Sequence, residues 1–400
     1  MYPGRTHWLA VCAAVGCGIA VAINVGKVPM SLDLLRQEFG LSLVSAGWVA
    51  SMLSTLAVFC ALFIGVLCDR IGHLRITGIG LAISIAATLA GLFVHDSGGL
   101  LFSRFGEGVG FLAVVIAAPG LVSAAAQPVE RRFALGIWAT YLPTGVGLTM
   151  LAAPVLLPLE GWRSLWQLSV VCMAAAGLAI YRYREVYARH PAAAPHSLSD
   201  ITTVVTDPMP WLLGFSLCSW AIQYFALIVW LPTFLEEQHG LSHTMAGLLS
   251  AAVVIIHAPG NVIGGALVKR HIQRGTLIML ASLVTALLSL AIYLDLLPDL
   301  PRYLACLALS LCGGLISASV LSSTEALARN SRQIGTLQGL FLQCAHLGQF
   351  IGPPLIAALV ARSGAWQDAL WVTGSAAVVG MILGLAIYRR EERLAMAGCM

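Results

Sequence analysis

Twelve stretches of roughly twenty apolar residues recur along the chain, more than any soluble fold of this length could bury. They lie near 8–29, 43–67, 75–94, 99–125, 133–157, 163–182, 209–235, 243–268, 275–294, 302–325, 335–361 and 366–387. A helix of about 20 residues crosses the ~30 Å hydrocarbon layer of a bilayer. There every backbone N–H and C=O must be bonded within the segment, which favours helices. Of the 400 residues 59% are hydrophobic and 10% charged, whereas soluble domains carry about 25% charged residues. The missing polar surface must face lipid. The first stretch is too long for a signal-peptide core and no small-residue cleavage pattern follows it, so it reads as a span.

Charge sets the orientation. With a cytoplasmic N-terminus, the cytoplasmic segments hold Arg5, Arg70, Arg75, Arg131, Arg132, Arg182, Arg184, Arg189, Lys269, Arg270, Arg274, Arg329, Arg332, Arg389, Arg390 and Arg393. The opposite loops hold Arg36, Arg163, Arg302 and Arg362, and Lys27 and Arg104 fall within spans. The reverse topology would invert the positive-inside rule. Both termini are therefore expected in the cytoplasm of a bacterial inner membrane.

The longest polar interruption, about 183–208, contains Arg184, Arg189, Pro191, Pro195 and Asp207-Pro208. It divides the chain into residues 1–182, a first six-helix bundle, and 209–388, a second, with 183–208 as a cytoplasmic linker and 389–400 as a cytoplasmic tail. The halves echo each other. Gly65-Val66-Leu67-Cys68-Asp69-Arg70-Ile71-Gly72-His73-Leu74-Arg75 follows the second span, and Gly264-Gly265-Ala266-Leu267-Val268-Lys269-Arg270-His271-Ile272-Gln273-Arg274 follows the eighth, 199 residues later. Arg132-Phe133-Ala134-Leu135-Gly136 opens the fifth span, and Arg332-Gln333-Ile334-Gly335 opens the eleventh at an offset of 200. Paired halves are a feature of secondary transporters.

Several classes fall away. The ten cysteines sit mostly inside apolar runs without C-x-x-C pairing, as small core hydrophobes rather than a zinc or disulfide framework. No cofactor or metal is expected. The net charge of +4 is scattered, which gives no footprint for nucleic acid. No G-x-x-x-x-G-K-[ST] loop offers direct ATP drive. No soluble segment is long enough for an enzyme domain, and no catalytic constellation gathers at one interface.

The stretch Gly65 to Arg75 resembles the G-x-L-x-D-R-x-G-x-x-R/K loop of the major facilitator superfamily, with Gly65, Leu67, Asp69, Arg70, Gly72 and Arg75 matching. Arg104-x2-Glu107-Gly108 is similar to the superfamily's Arg-x-x-Gln-Gly pattern with Glu for Gln, and Gly161-Trp162-Arg163 is a further shared feature. Within the superfamily the chain looks most like the cyanate-porter-like branch, through Asn24-Val25-Gly26-Lys27-Val28-Pro29, Phe39-Gly40-Leu41-Ser42, Ala46-Gly47-Trp48, Tyr141-Leu142-Pro143-Thr144-Gly145 and Gly348-Gln349-x2-Gly352-Pro353-Pro354. The G-P-x-x-G-G pattern of drug antiporters is matched only in part by Leu142-Pro143-Thr144-Gly145-Val146-Gly147. The resemblance implies a major facilitator fold, all-α with two pseudo-symmetric six-helix bundles, working by alternating access as a monomer. It also implies that Asp69 reaches the cytoplasmic N-terminus of the eleventh helix, where the helix dipole favours a carboxylate. Gly65, Asp69, Arg70, Gly72 and Arg75 would then form a gate, with Glu325 and Arg329, four apart, as a pair of gating potential. An ordinary charged turn is the competing reading.

The interior polar residues are the candidate binding groups. Lys27 has Asn24 three residues earlier on the same helical face, and either lines the cargo path or snorkels to the interface. Arg104 and Glu107, three apart, can pair. A charge at mid-membrane costs about 2.5–3.5 kcal/mol on insertion scales, so the pair needs an interior or wet place. Two bases against one titratable acid favour a small anion, with Glu107 as proton carrier. Trp220, Gln223 and Tyr224 in the seventh span can wall a site or simply pack. His257, beside Pro259, can relay protons or serve as a bonded core residue. Gln343, His346 and Gln349 form one polar stripe that must avoid lipid.

The expected function is a secondary transporter moving a small anionic solute, probed against three rivals: a drug or metabolite efflux antiporter, a non-transporting sensor on the same fold, and a membrane enzyme. The topology is testable now. A fluorescent protein fused after Met400 should fluoresce and a phosphatase fused there should be inactive; active phosphatase would reverse the assigned orientation.

Overall fold

The structure, a computed structural model, describes residues 6–188, 198–270, 272–294, 296–329 and 331–398. Arg5, Arg189, Pro191, Pro195 and His271, and the side chains of Asp69, Arg132, Glu325 and Arg332, lie outside that set.

Among the described residues, 12 helical spans are long and apolar enough to cross a membrane. They are α1 (Trp8–Phe39), α2 (Leu43–Gly65), α3 (His73–Leu92), α4 (Ser97–Ala125), α5 (Phe133–Glu160), α6 (Arg163–Arg182), α7 (Pro208–His239), α8 (His243–Lys269), α9 (Arg274–Tyr293), α10 (Asp299–Leu321), α11 (Gln333–Ser363) and α12 (Trp366–Leu394). The helix bearing α12 continues to Gly398. Two short helices, Arg184–Tyr187 and Leu198–Thr206, flank the middle of the chain.

Local chemistry sets several boundaries. Asp96 caps α4 by accepting from Gly99 N at 2.7 Å, and Asp207 caps α7 by accepting from Met209 N at 2.9 Å, with Pro208 in the first turn where its missing N–H costs nothing. The apolar pattern predicts that α1 ends near 29, but the helix runs on to Phe39 with Pro29 inside it. It stops at Gly40, and α7 stops at Gly240; both glycines adopt φ of 61°, the left-handed cap that a Cβ disfavours. The two stops stand 200 positions apart, so the repeat read in the loops extends to the helix ends.

The chain forms two compact units. One comprises Met1–Leu41, Met52–Pro195 and His243–Ala251; the other Ser42–Ser51, His196–Ser242 and Ala252–Met400. In the first, α1 packs on α4, α5 and α6, and α3 packs on α4 and α6. In the second, α7 packs on α10, α11 and α12, while α9 joins α10 and α12 and α8 lies along α10. Each unit also includes part of a helix from the other half of the sequence. In the second unit Ser51 Oγ donates to Gln349 O at 3.3 Å and the rings of Trp48 and Phe350 are 5.2 Å apart. In the first, Gly247 lies against Met30 and Pro154.

The α8–α10 contact shows how closely backbones approach when small residues meet. A Cβ on Gly264 would stand 2.8 Å from Leu315 Cα and 2.9 Å from Ala318 Cβ, whereas one on Gly265 would meet nothing within 4 Å. Gly264→Leu should therefore destabilise by about 1–3 kcal/mol through overpacking. Gly265→Leu should stay within about 0.5 kcal/mol of the parent. Thermal unfolding of the two purified variants in one detergent checks the contrast; equal losses would contradict the packing.

Candidate functional site

The first unit encloses a charged cluster. Lys27 reaches it from α1, and Arg104 and Glu107 reach it from adjacent turns of α4. All three are 0% exposed, as is Asn24. Lys27 Nζ lies 2.7 Å from Glu107 Oε1 and 2.8 Å from Asn24 Oδ1. The other carboxylate oxygen, Oε2, accepts from Arg104 Nη1. One carboxylate thus bridges two cations from different helices. Asn24 turns its amide nitrogen toward Met173 Sδ at 3.6 Å, and Ser84 Oγ donates to the Glu107 carbonyl at 3.2 Å.

Trp166 of α6 closes the cluster. The Lys27 ammonium sits 4.1 Å from the centre of its ring, a cation–π contact that strengthens where water is excluded. Among the described residues its buried indole N–H has no hydrogen-bond acceptor. With all three groups ionised the cluster holds two positive charges and one negative. Charges withdrawn from water cost several kcal/mol each and are retained only where partners repay that cost. The local geometry follows from sequence: positions 24 and 27 share a face of α1, 104 and 107 share a face of α4, and Trp166 is one turn after Trp162.

Trp162 links the cluster to the end of α1. Its ring meets Trp166 edge-on at 4.9 Å, and its Nε1 donates to Glu38 Oε2 at 2.7 Å. Arg163 pairs with the same carboxylate through both oxygens, at 2.7 and 3.1 Å. The second unit has the same corner in simpler form: Trp366 Nε1 donates to Glu237 Oε2 at 3.0 Å.

The second unit gathers the other candidates differently. Trp220, Tyr224 and His257 form one stack, with His257 5.8 Å from Trp220 and 4.8 Å from Tyr224. His257 Nδ1 lies 3.0 Å from Ser310 O. Gln223 Nε2 donates to Ser219 O at 3.3 Å, and its buried Oε1 has no partner among the described residues. On α11, Gln343 is half-buried and His346 and Gln349 are buried. Of the loop residues, Arg70 and Arg75 are exposed, Gly65 has nothing within 4 Å of its Cβ direction, and Gly72 closes its helix at φ 99°. Arg329 is exposed, and its backbone N donates to Gln333 Oε1 at 2.8 Å.

The pairing of Arg104 with Glu107 is legible from their spacing. The partner of Lys27 is not, because Glu107 lies 80 positions away. Trp166 and Glu38 carry a weaker signal: a tryptophan one turn after Gly161-Trp162-Arg163, and an acid at the end of an apolar span.

The family model described as Major Facilitator Superfamily matches residues 13–353. The nitrite extrusion protein of Bacillus subtilis is 24% identical over 250 residues, covering 62% of this chain and 61% of that protein. The chain thus spans less than two thirds of that relative. The methylenomycin A resistance protein of Bacillus subtilis is 19% identical, covering 88% of this chain and 90% of that one. The 3-(3-hydroxy-phenyl)propionate transporter of Escherichia coli is 26% identical over 362 residues, covering 88% and 86%. Among solved structures, a bacterial homologue of the human lysosomal transporter Spinster superposes with a TM-score of 0.76 at 16% identity, covering 98% of each chain, which shows a shared fold. With twelve spans, this fold and a family match over most of its length, the chain is a multi-pass membrane protein of the major facilitator superfamily.

Proposed function

We propose that this chain is a secondary transporter that moves a small anion by alternating access, coupled to protons, with Asn24, Lys27, Arg104 and Glu107 as its anion and proton machinery. The observation that carries the reading is the buried cluster, in which two cations share one carboxylate beside the Trp166 ring, whose N–H has no acceptor among the described residues. A monovalent anion brings the sum of charges to zero. It can also take the place of the Glu107 carboxylate once that group accepts a proton. In that case anion and proton share one conformational step, which is symport. Relatives named for nitrite and for a phenylpropionate support an anionic cargo.

The remaining assignments belong to the same reading. Trp220, Gln223, Tyr224, Gln343 and His346 contact cargo from the second half of the sequence, and His257 is a second proton group. Gly65, Asp69, Arg70, Gly72, Arg75, Glu325 and Arg329 serve gating. The chain works as a monomer in a bacterial inner membrane, with cytoplasmic termini, as a cyanate-porter-like member. A second reading, efflux of a toxic compound, draws on the relative named for methylenomycin A resistance. Susceptibility of a pump-deleted strain expressing the chain separates the two.

Two outcomes follow from the charges. Lys27→Met leaves Arg104 and Glu107 as a neutral pair, so the protein should remain folded while losing uptake of nitrite or formate into proteoliposomes. Unchanged uptake of a transported anion would remove Lys27 from the machinery. Glu107→Gln removes the carboxylate that bridges both buried cations and should destabilise by about 3–5 kcal/mol. Thermal unfolding of both variants reads this; a larger loss in Lys27→Met would reverse the assigned balance.

A further inference from the structure

The corners where Trp162 meets Glu38 and Trp366 meets Glu237 are built alike, but the residues leading inward from them differ as a pair. Eleven positions before Glu38 stands Lys27, and four after Trp162 stands Trp166. The same steps in the second half lead to Ala226 and Leu370. The half with an ammonium at this position has an indole ring to face it, and the other half has an alanine and a leucine. The corner, which both units keep, therefore does not itself call for a second aromatic ring.

An ammonium has three N–H donors. Lys27 Nζ meets three partners: Glu107 Oε1 at 2.7 Å, Asn24 Oδ1 at 2.8 Å and the Trp166 ring, whose centre is 4.1 Å away. Of these three, the carboxylate alone carries a charge. The face of an indole attracts a cation through its quadrupole and adds no negative charge. A second carboxylate in that place would neutralise the ammonium and compete with an anion for it. Trp166 is itself held fast. It is fully buried, Trp162 meets it edge-on at 4.9 Å, and Gly91 lets it lie so close to α3 that a Cβ there would stand 3.0 Å from Trp166 Nε1.

We infer that Trp166 is a positioning residue for the anion: its ring, with Asn24, keeps the Lys27 ammonium in place when Glu107 gives up its share of it. One of the three N–H donors is then released toward the place where Oε1 lay, and an anion accepts it there. Without the ring, the flexible four-carbon stem of the lysine can carry the charge away from that place. The inference rests on the reading of Lys27 and Glu107 as anion and proton machinery. It adds a residue that acts through Lys27.

The test replaces Trp166 in the full-length protein, by nonsense suppression, with tryptophans carrying from one to four ring fluorines. Fluorine drains electron density from the ring face while barely changing its size, so the fold is kept. Uptake of nitrite and formate into proteoliposomes should show KM rising in even logarithmic steps, by about tenfold in all, with maximal turnover unchanged. A ring that only fills space would leave KM level. The same series at Trp230, whose Nε1 donates to Pro353 O at 3.0 Å, controls for the effect of fluorine on the N–H and should leave KM unchanged. A level KM at position 166, an equal rise at both positions, or a fall in turnover alone would overturn the inference. Lys27→Met separates that failure from failure of the reading beneath it. Uptake that survives in Lys27→Met removes both, whereas uptake lost there with a level KM across the series removes the role of Trp166 alone. Lack of nitrite and formate uptake by the parent protein would remove the anion reading and this inference with it.

Discussion

The interaction on which the rest depends is the fully buried carboxylate of Glu107 held between Lys27 and Arg104. In a medium of low polarity, ions of like sign on neighbouring helices repel strongly, and their loss of hydration must be offset locally. Glu107 does both, since one oxygen serves each cation. Asn24 and the Trp166 ring share the load on the Lys27 ammonium. The cluster joins α1, α4 and α6, so the same bonds also fix the core of the first unit.

Such an arrangement is a poor choice for stability alone. A buried ion pair can often be replaced by well-packed apolar residues with neutral or favourable effect. A triad with an unequal number of charges has less to recommend it still. Its second-half counterpart is instructive: Asn24 is echoed by Gln223 at an offset of 199, but Lys27 falls opposite Ala226. There the buried face is aromatic, with Trp220, Tyr224 and His257 stacked. The two halves have kept the same helix ends, marked by Gly40 and Gly240, and diverged where polar groups sit.

Much of the architecture is legible in the amino-acid sequence. Hydropathy alone gives twelve spans because the bilayer demands a fixed length of apolar helix, and repeated loops give the two halves. The Arg104–Glu107 pair follows from three-residue spacing on a helix. What sequence could not supply was long-range packing. Nothing local links Lys27 to a residue 80 positions later, or to the ring of Trp166. The extent of α1 past Pro29 was likewise hidden, since hydropathy reports where lipid ends and Gly40 decides where the helix stops.

The most direct measurement is infrared difference spectroscopy of the purified protein as a transported anion is added, with Glu107→Gln to assign the carboxyl signal. A protonated carboxyl band should rise on anion binding in the parent and be absent in the variant. An anion that is bound and transported while the Glu107 carboxylate stays ionised and bridged would contradict it.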